Sequence, residues 1–365
     1  MIRGALGRLV GLEGLRAWVR GQTKAIHEDV TAADKHATAA VTLAKTLRKD
    51  LAREERKSQT LAAEVERQHG QLAEVSARLA RLEALAKAND QTSALVFRSD
   101  PSDLAATVRH VRLAIQNSVL EREPGPHVII DNILPEAAYH RLLSAMPPLE
   151  FFDGGAEHTK LDFRLFGEGL APTASRVIWE AFETEIVEEV LMPALLDLFA
   201  PVLEAHYAHL IGPELAAEAA QLPKRASGRI MYRRPGFHQG AHLDPKRSLI
   251  TGLLYLARPG DNPEYGTQLY SVDRSFTAPS MTTYYLEPDG VPCQVAKRVE
   301  YRPNRILAFV NSVAHGADFP EDAKQRERYA YQFYVKPKDG ALVKLLRKLP
   351  ADKQEPWRAV LASHR

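Results

Sequence analysis

The stretch His242-Leu243-Asp244 decides how this chain is read, together with His315, 71 residues after Asp244, and Arg328-Tyr329-Ala330-Tyr331 beyond it. His242 and Asp244 are two apart, so on an extended segment both side chains point to one face. His315 follows the apolar run Arg305–Val310 across the turn-like Asn311-Ser312, which puts it at a strand end near a rim. Two imidazoles and one carboxylate can hold a non-haem Fe(II) on one face and leave up to three positions for small molecules. Arg328 opens the dense apolar and aromatic run Tyr329–Val335, where an isolated cation is costly, so it needs an anionic partner such as a bound dicarboxylate. Arg326 is a rival, but it lies in the charged run Lys324-Gln325-Arg326-Glu327, which reads as a solvated loop. Tyr232 and Tyr255 are candidate hydroxyl donors to the same carboxylate, against the structural alternative of packing on strands. A bare His-x-Asp is weak by itself: His242 could be an ordinary half-buried histidine and Asp244 a turn residue before Pro245.

Around that stretch the composition is that of a globular protein. The 365 residues allow one large domain or two ordinary ones, and 45% hydrophobic content is enough for a substantial core. Lys plus Arg is 48 and Asp plus Glu is 46, so no net positive field favours nucleic acid as an obligatory partner. The single cysteine, Cys293, excludes an internal disulfide, fits a reducing compartment and points to a cytoplasmic location. Met1 to Gln22 carries Arg3, Arg8, Arg16 and Arg20 against Glu13 alone. It reads as a basic amphipathic leader, loosely ordered, with peripheral contact to an anionic membrane as the alternative. No apolar run in it suits a secretory signal or a membrane span.

Four regions follow from the patterning: the leader 1–22, a coiled coil at 23–90, a domain at 91–340 with a strand core at 228–337, and a basic tail at 341–365. From Ala40 to Ala86, residues such as Ala44, Leu47, Leu51, Leu61, Val65, Leu72, Val75, Leu79 and Leu82 recur in alternating steps of three and four, interrupted at Glu54, Ser58 and Gln68. A stripe with that 3.5-residue period must face another helix. Homo-oligomerisation is the expectation, and folding back on the following domain is the alternative. Asn89 to Ser102 breaks the heptads. Helices are then expected at Asp103–Leu120, Pro135–Ala145 and within Ala174–Leu210, with a strand at His127–Asp131. Short strands follow at Arg229–Arg233, Ser248–Leu256, Gly266–Ser271, Met281–Leu286, Cys293–Tyr301, Arg305–Phe309 and Tyr329–Val335. Such spacing predicts an antiparallel sandwich or open barrel inside an α+β chain.

The stretch Arg229–Lys336 resembles the Fe(II)- and 2-oxoglutarate-dependent dioxygenases, in particular their prolyl-4-hydroxylase-like branch. In that family a His-x-Asp pair and a distal histidine bind iron, matched here by His242, Asp244 and His315. A basic residue on the strand after the distal histidine binds the far carboxylate of 2-oxoglutarate, matched by Arg328. Tyr232, ten residues before His242, Tyr255 in the pair Tyr255-Leu256, and Gln332 match further co-substrate positions. Tyr265-Gly266-Thr267-Gln268-Leu269 is similar to the family's Gly-Gly-x-Leu, with Thr267 in place of the second glycine, a departure expected to affect only the local turn. The resemblance implies a double-stranded β-helix (jelly-roll) core with flanking helices. It also implies Fe(II), O₂ and 2-oxoglutarate, with ascorbate as a reductant in vitro. The reaction implied hydroxylates a substrate while 2-oxoglutarate becomes succinate and CO₂. Halogenases of the family lack the carboxylate that Asp244 supplies, so its presence favours hydroxylation.

Two other function classes stay open at this level: a coiled-coil scaffold whose oxygenase-like domain binds without turnover, and a cupin-like Zn or Mn hydrolase or isomerase. A protein side chain, an amino acid, and a sugar or lipid-linked intermediate all suit the metal site. Phe151–Arg164 is a candidate lid. His238 reads as a surface loop residue, His206 and His209 as surface or packing residues, and Cys293 as a small apolar filler.

Overall fold

The computed structural model describes residues 2–92, 101–154, 159–164, 172–272 and 282–362. Two compact units divide the chain, Met1–Arg78 and Leu79–Arg365. Helix α1 (Ile2–Thr92) contains no proline and runs unbroken through the boundary expected at Gln22. Its isolated glycines, including Gly21 and Gly70, cost about 1 kcal/mol each relative to alanine, too little to end a helix of this length. Leu47, Leu51, Leu61, Val65, Leu72, Val75, Leu79 and Leu82 are 45–69% exposed. Among the described residues no helix is long and apolar enough to cross a membrane.

In the second unit, helices cover one face of a six-stranded antiparallel sheet. The helices are α2 (Pro101–Gln116), α3 (Glu136–Ser144), α4 (Thr173–Ala181), a wide-turn helical stretch Phe182–Leu191, α5 (Met192–Ile211) and α6 (Pro213–Ala220). The sheet contains β1 (His127–Ile130), β2 (Lys160–Arg164), β3 (Lys224–Arg233), β5 (Ile250–Tyr255), β9 (Ile306–Val310) and β11 (Arg328–Pro337), in the order β1-β9-β5-β11-β3-β2. A five-stranded sheet holds β4 (Phe237–Leu243), β6 (Thr267–Val272), β7 (Tyr284–Tyr285), β8 (Cys293–Val299) and β10 (His315–Phe319), in the order β7-β4-β10-β6-β8. From β3 to β6, and again from β8 to β11, successive strands alternate between the two sheets.

Strand alternation gives the larger sheet two different faces. Tyr331 and Phe333 of β11 point to the helices, where Trp179 stacks on Tyr331 at 5.7 Å and Phe182 meets it edge-on at 5.3 Å. A Cβ at Gly228 would lie 2.0 Å from the Tyr331 hydroxyl, so glycine is required under that ring. Arg328, Ala330, Gln332 and Tyr334 occupy the other face of β11, opposite Arg233, Met231, Arg229 and Ser227 of β3. That polar face is turned away from the helical core.

Three expectations change. The tail is not a surface appendage: α7 (Asp339–Leu346) buries Leu342, Val343, Leu345 and Leu346, and Trp357 and Val360 join the same core. Its basic residues had masked an amphipathic period. Part of the expected lid is a strand, since β2 pairs with β3 over Lys160–Arg164, while 155–158 lie outside the described residues. Strands β4 and β10 reach beyond the extended segment expected at His242–Asp244 and the strand end expected at His315, because histidines and glycines interrupt their apolar alternation. Cys293 is half-buried beside a small cluster around Leu243 and Leu286, in keeping with a filler role.

Glu183 is buried under the sheet, and its Oε2 accepts a 2.6 Å hydrogen bond from the Tyr331 hydroxyl. Burial pushes its carboxyl above the usual glutamate range, so the folded state holds that proton more tightly than the unfolded chain. Its contribution is therefore fully present below the ordinary glutamate pKa and is lost as pH rises through the raised value. Glu183→Gln keeps an acceptor for Tyr331 and should remove this loss. The expected result is a urea-unfolding free energy that declines less than the wild type's between acidic and neutral pH. Parallel pH profiles would contradict it.

Candidate metal centre

The centre is built where β4 and β10 pair. Their register sets His315 opposite His242, with ring centroids 4.1 Å apart. The pairing shifts between His315 and Ala317, and Gly316 sits in that irregularity. A Cβ there would lie 2.6 Å from the Gln239 carbonyl oxygen, so no other residue fits the bulge without movement. Asp244 follows directly on β4, and Asn311 Nδ2 fixes the next turn by donating to the Pro245 and Lys246 carbonyls, each at 3.1 Å. His242, Asp244 and His315 are all buried, and each offers one ligand atom within 4.8 Å of the others.

Hydrogen bonding settles which nitrogens face the site. His242 Nδ1 lies 2.9 Å from the Gly240 carbonyl and His315 Nδ1 lies 3.1 Å from the Val313 carbonyl. Carbonyl oxygens only accept, so both Nδ1 atoms carry the proton and both Nε2 atoms keep a lone pair for a metal. Gln239 Nε2 donates to His242 Nε2 at 3.0 Å, which is consistent with that tautomer. Burial and the neighbouring His315 hold His242 well below the usual imidazole pKa, in the neutral form that a metal ligand needs. Thr251 Oγ1 donates to Asp244 Oδ2 at 2.5 Å, and the Tyr334 hydroxyl reaches Oδ1 at 3.4 Å. This donor set of two neutral imidazoles and one oriented carboxylate suits a divalent first-row metal with open positions. The residues fit the group.

The other expected positions separate by strand face. Arg328 is 4% exposed, and its guanidinium lies over the rings of Tyr301 at 5.4 Å and Tyr255 at 6.0 Å. Its buried Nε has no hydrogen-bond partner, and no carboxylate pairs with it among the described residues. Tyr255 is fully buried beside Arg328, with its hydroxyl donating to Thr267 Oγ1 at 2.8 Å. Gln332 lines the same cavity, but its Oε1 already accepts from Arg229 Nε at 3.0 Å and Nη2 at 2.6 Å. Tyr232 does not join them. It packs on the other face of the sheet against Tyr329 at 4.9 Å and Phe152 at 6.2 Å, because the inward positions of this part of β3 are Arg229, Met231 and Arg233. The ten-residue spacing to His242 is right, but the pleat puts the neighbouring Met231 in the cavity.

Sequence reasoning missed several residues of the site. Thr267 does more than alter a turn, since its side chain lines the cavity and receives the Tyr255 hydroxyl. Thr251 and Tyr334 anchor Asp244 from strands whose register was not readable. Gln239, in strand β4, contacts His242. Arg326 is exposed, and His238 is exposed and faces Asp318 across the strand pair at 3.5 Å. His206 is packed in the helical layer, where burial lowers its pKa to about 4.

No family model matches this sequence, and no curated protein matches it. Solved structures do show likenesses. A prolyl hydroxylase from Trichoplax adhaerens, in complex with a hypoxia inducible factor peptide fragment, is 14% identical, with 67% of this chain and 97% of that chain covered and a TM-score of 0.38. A prolyl-4-hydroxylase from Pseudomonas putida is 14% identical over 64% of this chain and 99% of that one, with a TM-score of 0.33. HygX from Streptomyces hygroscopicus, with nickel, 2-oxoglutarate and hygromycin B bound, is 13% identical over 58% and 83%, with a TM-score of 0.34. Prolyl hydroxylases recur among them. These likenesses are distant.

Thr251→Val removes the hydroxyl that orients Asp244 while preserving shape. Such outer contacts typically carry 10–100-fold in metal affinity. Calorimetric titration with Mn(II) should show weakening in about that range with an unchanged melting temperature. Equal affinity in the two proteins would mean that Thr251 does not position the carboxylate.

Proposed function

We propose that the chain is an Fe(II)- and 2-oxoglutarate-dependent oxygenase with a double-stranded β-helix core, acting as a hydroxylase. One observation carries this reading: a buried two-histidine, one-carboxylate cluster shares a cavity with a buried arginine that has no acid of its own. His242, His315 and Asp244 would hold the metal, which supplies activation of O₂ and chelation of a keto acid when bound. Arg328 would grip the far carboxylate of 2-oxoglutarate, which relieves its uncompensated charge. Tyr255 and Tyr301 flank the guanidinium with their ring faces, favouring a cation there and limiting its rotation. The balanced reaction converts 2-oxoglutarate, O₂ and a C–H substrate into succinate, CO₂ and the hydroxylated product. The strand alternation between sheets supports the β-helix assignment, with the cavity enclosed between them.

Purified protein with Fe(II), ascorbate and 2-oxoglutarate should release succinate slowly even without substrate. His242→Ala should abolish this release. Arg328→Gln should raise the 2-oxoglutarate requirement by about tenfold or more, the weight of one charge-assisted contact. Wild-type protein that takes up no metal and yields no succinate would sink the reading.

Self-association through α1 belongs to the same proposal. The partner is a second copy of this chain, because the exposed stripe repeats with the 3.5-residue period that matches an identical helix. Val65→Glu with Leu72→Glu places like charges in that seam. Sedimentation should then change from an oligomer to a monomer, with succinate release retained. A wild-type monomer at micromolar concentration would refute the pairing.

A further inference from the structure

The cavity has a second basic wall that neither the metal nor Arg328 accounts for. Register aligns Lys160 with Arg233, Asp162 with Met231 and Arg164 with Arg229. These six side chains share the inner faces of β2 and β3, because positions two apart on a strand point the same way. Four are cations and one is an anion. Asp162 is shared: Oδ1 lies 2.9 Å from Arg233 Nη1, and Oδ2 lies 3.3 Å from Arg229 Nη1. One carboxylate cannot neutralise two guanidinia, and it makes no direct ion pair with Lys160 or Arg164. Neither of these makes a hydrogen bond or ion pair among the described residues.

The geometry aims part of this charge at the metal centre. Lys160, Arg229 and Arg233 line the same cavity as His242, Asp244 and His315. Arg233 is 2% exposed and hydrogen-bonds through Nη1 to the Leu161 carbonyl, the Tyr232 carbonyl and Asp162, so its position is fixed. Burial lowers its pKa to about 10, and both Arg229 and Arg328 add to that fall. Lys160 is pushed down by burial and then by Arg233, and its charge reaches His242. A cluster of like charges held near one another in a cleft is unfavourable without a ligand of the opposite sign.

We infer that the substrate itself carries an anionic group, a phosphate or a carboxylate, which binds Lys160 and Arg233 on the β2–β3 wall while 2-oxoglutarate occupies Arg328. This deepens the oxygenase reading and rests on it for the place of the first anion. Arg229 positions the wall, tied to Gln332 on one side and Asp162 on the other. Substrate would then be selected by charge on a rigid sheet edge, with the anionic group anchored and the reacting carbon turned to the metal.

The test uses full-length protein loaded with Mn(II) and saturating 2-oxoglutarate, titrated calorimetrically with phenyl phosphate, with benzoate, and with benzyl alcohol as the neutral control. At least one anion should bind, benzyl alcohol should not, and the stronger anion identifies phosphate or carboxylate as the group. Lys160→Gln should weaken that anion about tenfold and leave 2-oxoglutarate affinity within about twofold. Lys160 stands at the edge of the cavity, partly open to solvent and without an ion pair, so an unchanged melting temperature verifies that this variant folds. Arg328→Gln should do the reverse, losing 2-oxoglutarate and keeping the anion. No binding of either anion to 2-oxoglutarate-saturated protein overturns the inference and leaves the oxygenase reading intact. Equal affinity in Lys160→Gln also overturns it, since the anion then sits on the metal. Displacement of the anion by 2-oxoglutarate overturns it as well, because the wall is then the co-substrate's own. Lys160-dependent anion binding by protein that takes up neither Mn(II) nor 2-oxoglutarate sinks the oxygenase reading but keeps the anion site.

Discussion

The site depends on one backbone contact, the antiparallel pairing of β10 with β4. It sets His315 across from His242 although the two are far apart in the chain. Strand pairing fixes Cα positions tightly, but a metal site also needs ring orientation. Both histidines obtain it in the same way, from a carbonyl two residues earlier that accepts a hydrogen bond from Nδ1–H. The third ligand is placed differently. Asp244 lies just beyond the strand, so its backbone is held by Asn311 and its carboxylate by Thr251. Loss of the bulge at Gly316 would shift one imidazole relative to the other, and no later contact could restore the geometry.

Electrostatics then divides the cations of the interior by what each has for company. Arg305 is bidentate to Asp131, at 2.6 and 2.9 Å, and that pair is structural, joining the strand end to the preceding loop. Arg233 has Asp162 and two backbone carbonyls. Arg229 has Asp162 and Gln332. Arg328 has aromatic ring faces and no acid. Aromatic faces offer about 0.5–2 kcal/mol to a cation, less than the several kcal/mol that its desolvation costs. The difference is the physical basis for proposing that the co-substrate's carboxylate goes to Arg328.

The two faces of the larger sheet divide the work. The outer face carries aromatic residues packed against helices, and it anchors the rigid frame. The inner face carries charge and hydroxyl groups, several of them lining the cavity beside the His242, Asp244 and His315 cluster. Thr267 illustrates how local this division is. A glycine there would leave the buried Tyr255 hydroxyl without the acceptor it now has.

The His242, Asp244 and His315 cluster and the buried Arg328 were legible because their spacing and residue types are unusual for strands, and the long helix α1 was legible because helix-forming residues run through it without a proline. Tyr232 shows the limit: sequence distance counted ten residues correctly, but the phase of the pleat turned its ring outward. The tail shows another, since its charges hid an apolar face that packs into the core. By itself the sequence determined which side chains can bind metal and carboxylate, because ligand chemistry is a property of residue type. Tertiary structure alone decided which of them meet. Register, bulge and strand phase arise from pairings between distant segments, and they selected Gln239, Thr267 and Arg233 for the cavity and kept Tyr232 out.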